Sequence, residues 1–159
     1  MRTVDCTHIQ APFTRVFSIA SSVARWPSIL PHYRWVRVLG DGQVEMAAWR
    51  PFARGLIKYP TWWVSEMSID RPAGEIQYRH VRGITRGMQV VWRVVEDGEG
   101  AEGGGGVNVE IVHTWDGPSW PLIGRLAANL IIGPVFIHGI ASRTLAGIKR
   151  AAEDAEPRL

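Results

Sequence analysis

Apolar and polar positions along this chain follow period two at the start, a helical period next, then period two again for most of its length. "TVDCTHIQ" alternates and predicts a first strand, stopped by Ala11–Pro12. In "PFTRVFSIAS" the residues Phe13, Val16, Phe17 and Ala20 fall at helical spacing, and Pro12 suits a first helical turn. "SSVARWPSIL" predicts a second short helix, ended by the restriction Pro31 places on the residue before it. From there to residue 116 the pattern is that of strands, over 33–39, 43–50, 55–70, 74–82, 86–96 and 107–116, separated by turn signals such as "GDG", "RPAG" and "RG". After "DGPSWP" a helical pattern runs from Leu122 to Ala155, with a kink expected at Gly133–Pro134.

One strand, two short helices, six strands and a long C-terminal helix predict an α+β domain spanning residues 1–159. A seven-stranded antiparallel sheet cannot leave its apolar face in water, and one long helix is available to cover it. A curved sheet gripping that helix leaves a gap, and such gaps become ligand cavities. The glycine run "GEGAEGGGGV" reads as a hairpin loop rather than a phosphate loop, because no Lys-Ser/Thr follows it and a strand comes next.

Strand alternation says which side chains face the gap. The last strand turns His113 and Trp115 inward, against Glu110, Thr114 and Asp116. The sixth turns Met88, Val90, Trp92 and Val94 inward, and the fifth Ile76, Tyr78 and His80. In the fourth, Trp63, Ser65 and Met67 oppose Glu66 and Ser68. Tyr33 and Trp35, where the second helix hands over to the second strand, are expected near the mouth of the gap. From the helix side, Phe136 or Ile137 closes the cavity, and Asn129 lies where the helix begins, a position that also suits a cap or turn role. An inner surface of this kind suits a hydrophobic, ring-bearing small molecule. Each of His80 and His113 can equally be a hydrogen-bonded core residue. They lie on strands separated by a third, roughly 10 Å apart, without a His-x-x-x-His or Cys pair, so no metal and no cofactor are expected.

Composition narrows the classes further. The chain is 46% apolar and 21% charged, ordinary for a globular protein, but its eight tryptophans call for a large aromatic interior. A single cysteine, Cys6, excludes an internal disulfide and fits a reducing compartment, so a cytoplasmic location is expected. No apolar leader is visible at the N-terminus. A net charge of +3 is too mild to imply nucleic acid, and Arg34, Arg37, Arg50, Arg54 and Lys58 read as solvated surface. The uncharged stretch 126–142 is shorter than the roughly 20 residues of a membrane span and reads as a buried helix.

The segments "IQAPFTRVFSIASSVARWPSILPHYRWVRVL", "VVWRV" and "SRTLAGIKRAAE", in this order of elements, resemble the helix-grip fold of the START-like (SRPBCC) superfamily, and within it the polyketide cyclases/dehydrases. The resemblance implies a seven-stranded curved antiparallel sheet wrapped around the C-terminal helix, with two short helices after the first strand. Trp26, Pro27 and Tyr33 match the cyclase pattern, which gives Tyr33 a pocket role. Val64, Ser65 and Glu66 match the fourth strand, but Met67 replaces an arginine expected to polarise the substrate, and methionine donates no hydrogen bond. The polar asparagine expected near Ile137 to Ala141 is also absent. Two functions stay open: a cyclase or dehydratase using Tyr33, His80 and His113, or a non-catalytic carrier of a lipid, quinone or isoprenoid, as in the coenzyme Q-binding branch.

Overall fold

Strand β1 (Arg2–Ile9) turns Thr3, Asp5, Thr7 and Ile9 to one side and leaves Arg2, Val4, Cys6 and His8 exposed, as period two requires. Helix α1 (Phe13–Ser21) buries Val16, Phe17 and Ala20 on one stripe. The second short helix is realised in two pieces, a 3-10 turn at Val23–Arg25 and a single turn of α2 (Trp26–Ile29). Pro27 has no N–H to offer the carbonyl of Val23, so α-bonding cannot run through the junction; the N–H of Trp26 donates there instead.

Six strands follow: β2 (Tyr33–Val38), β3 (Gln43–Phe52), β4 (Ile57–Asp70), β5 (Glu75–Gly83), β6 (Gln89–Glu96) and β7 (Val107–Thr114). With β1 they form one curved antiparallel sheet in the order β1-β7-β6-β5-β4-β3-β2. Helix α3 (His138–Glu153) packs against β1, α1 and α2 and covers the inner face of the sheet. This is the helix-grip, α+β architecture. The computed structural model describes residues 1–52, 57–98, 105–117 and 137–154, and for residues 50–52 and 57–59 the backbone alone. The stretch 122–136 of the expected long helix, its Gly133–Pro134 kink and Ala155 lie outside the described residues.

Two irregularities of register place the site. Tyr33 opposes Ala48 but Trp35 opposes Ala47, so Arg34 is an extra residue that moves the strand onto its other face. Tyr33 is buried inward, whereas Trp35 stands half-buried on the outer face beneath the Arg37 guanidinium, 4.7 Å from its ring centre. The alternation that paired Trp35 with Tyr33 at the gap is therefore interrupted one residue earlier. The second shift lies between Val64 and Ser65, where Gly83 opposes Trp63. Its φ of 93° and the backbone of Trp62 and Trp63 beside it leave no room for a Cβ. Among the described residues no helix is long and apolar enough to cross a membrane.

Candidate functional site

Between the inner face and α3 lies a pocket of about 60 Å³. An unbroken series of rings forms much of its wall. His80 stacks on Trp63 at 5.9 Å, Trp63 meets Tyr33 edge-on at 6.3 Å, Tyr33 meets Trp26 at 5.1 Å, and Trp26 tilts against Trp92 at 5.6 Å. Edge-on and tilted pairs are the arrangements that ring quadrupoles favour. Trp26 is further held by its indole N–H, which donates to the carbonyl of Ile19 in α1 at 3.2 Å. Met46 and Met88 fill the wall between the rings; Ile137, at the N-cap of α3, and Ile140, Ala141 and Thr144 within it line the helix side at helical spacing.

The polar points are few and each has a distinct setting. His80 Nδ1 lies 2.6 Å from the Thr85 hydroxyl, which is itself buried, so the imidazole is held in one orientation against Trp63. If Thr85 donates, Nε2 carries the ring proton; if it accepts, Nε2 is the basic nitrogen. His113 lines the same pocket and opposes Val90, which in turn opposes Tyr78. That row carries both polar side chains across three strands. The Tyr78 hydroxyl is buried without a hydrogen-bond partner among the described residues. Burial pushes its ionisation well above the ordinary tyrosine range, with the neighbouring Tyr33 adding to the shift, so the phenol is neutral at physiological pH. A neutral, desolvated O–H on a residue lining the pocket is a hydrogen-bond donor without an acceptor among the described residues.

The pocket brings together Tyr33, Trp63, Tyr78, His80, Met88, Trp92, His113 and Ile137. It does not include Ser65, Met67, Trp115 or Trp35. Ser65 is fully buried beneath the sheet's inner layer with its hydroxyl unpartnered among the described residues. Met67 packs against the core from the edge of the inner face. Trp115, past the end of β7, is buried and donates its indole N–H to the carbonyl of Arg86 at 2.9 Å, bracing the turn between β5 and β6. Asn129 and Phe136 lie outside the described residues.

Several contributors escaped sequence reasoning, among them Trp26, Met46, Thr85 and Thr144. Trp26 and Thr85 sit in a short helix and a turn, where no alternation assigns a face. Asp5 is different: it holds an inward position of β1, a legible signal. Its buried carboxylate accepts from His138 Nδ1 and faces the Ser142 hydroxyl at 3.4 Å, tying the edge strand to the start of α3.

The sequence profile for polyketide cyclase / dehydrase and lipid transport proteins matches residues 9–133. The chain belongs to that family. Among solved structures, members of the same fold superpose over nearly the whole chain. TTHA0849 from Thermus thermophilus has a TM-score of 0.74 at 16% identity, covering 98% of this chain and 99% of its own. The Zhui aromatase/cyclase from Streptomyces sp. R1128 has a TM-score of 0.63 at 15% identity, with 98% of each chain covered. Truncated norcoclaurine synthase from Thalictrum flavum has a TM-score of 0.64 at 13% identity, covering 98% of this chain and 95% of its own. At these identities the likeness is one of fold. No curated protein sequence matches the chain.

Proposed function

We propose that this polyketide cyclase/dehydrase-family domain binds a hydrophobic, ring-bearing molecule between the sheet and α3, and that His80 transfers a proton on it during ring closure or dehydration. The observation that carries the reading is His80 itself. Its ring forms part of the pocket wall while Thr85 engages its other nitrogen. An oriented imidazole in an aromatic pocket is suited to general acid–base work near neutral pH. His113 is a second proton-transfer candidate, and Tyr33 and Tyr78 bring phenol groups to the same wall that would hold a ketone or enolate oxygen.

The pocket's 60 Å³ is well below the roughly 300–1,000 Å³ of ordinary ligand clefts. Binding therefore has to widen it, and Met46 and Met88, unbranched and adaptable, are the wall residues that yield most easily. The carrier reading has its own support. Met67 stands where the cyclase pattern has arginine, which removes a group expected to polarise a substrate.

Tryptophan fluorescence during titration with 2-naphthol tests binding, since the ring chain would report an aromatic guest. Turnover of an aromatic polyketide-type ketone then separates the readings. With His80 as base, His80→Ala lowers the rate by on the order of 10² to 10⁴ while leaving affinity within about tenfold. Binding without turnover in the wild type supports the carrier; absence of any ring binding rejects both.

A further inference from the structure

On the outer side of α3, away from the aromatic pocket, lies a second concavity of about 360 Å³. Arg143 and Arg150 flank it, His32 and Trp49 form its far wall, and Ala146 and Gly147 make a low floor between the two arginines. The floor is low for a structural reason. A Cβ on Gly147 would overlap the Leu30 side chain, so α3 meets the end of α2 through a bare backbone. Seven residues separate the arginines, two helical turns or about 10.5 Å of rise, so both guanidinium groups can reach inward over the same floor.

The charge of this groove is one-sided. None of its described lining residues is acidic, and neither Arg143 nor Arg150 forms an ion pair among the described residues. Glu153, the nearby glutamate of α3, engages Lys149 at 3.7 Å and the N–H of Gln10 at 2.8 Å instead. Arg34 adds a third positive charge, its guanidinium 4.5 Å from the centre of the Trp49 ring. His32 is the partition between this groove and the pocket: its Nε2 lies 3.0 Å from the Thr144 hydroxyl, and its ring tilts against Tyr33 at 4.8 Å.

We propose that the groove is a second binding site, taking a phosphate group carried on a flat or chain-like apolar body. Guanidinium forks match phosphate oxygens in pairs, and Trp49 supplies an apolar surface for the attached body. The site does not depend on the pocket being a catalytic or ligand-binding cavity.

The test is calorimetric titration with 1-naphthyl phosphate, with 1-naphthol as the uncharged control, on wild type and on the double variant Arg143→Gln/Arg150→Gln. Both arginines are exposed, so the variant is expected to fold. Loss of two charge-assisted contacts weakens naphthyl phosphate by at least about tenfold and leaves naphthol unchanged. Added salt reproduces the loss in the wild type, and Arg143→Lys/Arg150→Lys restores part of the affinity. Sedimentation with phosphatidylcholine vesicles, with and without phosphatidic acid, tells a soluble phosphate from a lipid headgroup; arginine-dependent binding in either arm supports the site. Equal behaviour of wild type and the Gln variant in both arms, or no binding of either phosphate, overturns it.

Discussion

On β6, Val90, Trp92 and Val94 are buried against the helix side, while Arg93 between them reaches out to Glu75 and Glu110 at 2.9 and 3.2 Å. The two faces of one sheet thus handle polarity in opposite ways. Outside, charges are paired but remain in water, where pairing contributes little to stability. Inside, polar groups are few, and Ser65 and Tyr78 hold hydroxyls without partners among the described residues. Burying a hydroxyl unsatisfied costs on the order of 1–3 kcal/mol, so the inner face gives up stability where the outer face does not. Tyr78 gives up that stability at a wall of the pocket.

The comparison is tested most severely at the tryptophans. Trp92 is 4% exposed and packs on Trp26, whereas Trp62, on the outer face of β4, is 40% exposed with its indole N–H on Glu45. Trp92→Ala is expected to destabilise by about 3–5 kcal/mol in denaturant titration. Trp62→Ala is expected to stay below about 1 kcal/mol. Equal losses would erase the distinction between the faces.

A carboxylate on the inner side should respond more strongly than those outside. Asp5 is 5% exposed, and its partner His138 lies largely in solvent. His138→Ala leaves the carboxylate buried with less support and is expected to cost about 1–2 kcal/mol, a value reduced by the exposure of the imidazole. His138→Gln, which keeps a donor, should recover part of it.

The unpartnered hydroxyls invert the usual sign. Ser65→Ala should be neutral or stabilising by up to about 1 kcal/mol, since it removes a desolvated group without opening a large cavity. Tyr78→Phe should behave alike at neutral pH and differ at alkaline pH. A phenol whose folded pKa is raised favours folding only below its ordinary value, near 10.0. Above that pH the unfolded chain loses its proton first, and wild-type stability falls. The Phe variant should lack this part of the alkaline loss in thermal melts across the range.

The smallest effect is expected on the outer face. The Arg93 guanidinium, by hydrogen bond, holds the Glu75 carboxyl below its usual value. In Arg93→Gln the NMR titration of Glu75 should move back up toward the ordinary glutamate range, while the melting temperature stays near that of wild type. A large drop in melting temperature would mean that the outer network carries more of the fold than its exposure suggests.

Much of the architecture was legible in the one-dimensional pattern. Period two along β5, β6 and β7 assigned Tyr78, His80, Trp92 and His113 to one side, because alternation is a local property of an extended backbone. The order of elements was enough to imply a sheet needing one covering helix. Ser65, Met67 and Trp115 also followed the alternation, yet none lines the pocket. A face is not a pocket: how far along a strand the helix reaches depends on packing between distant segments, which no strand carries by itself.

What the sequence determined alone is therefore the set of strands, the inward side of most of them and the aromatic wealth of that side. Tertiary structure decided the rest, for reasons of register and contact. One extra residue at Arg34 sent Trp35 to the outer face, since a single-residue slip reverses every side chain beyond it. Trp26 entered the ring chain because Pro27 broke the second helix and α1 anchored the indole. His138 met Asp5 only when a helix and an edge strand far apart in the chain were brought together, whereas Thr85 reaches His80 across the turn after β5, a local contact whose partners no alternation could pair. Local periodicity is written residue by residue, but a site made of partners from a turn, a helix and an edge strand exists only once the chain has closed on itself.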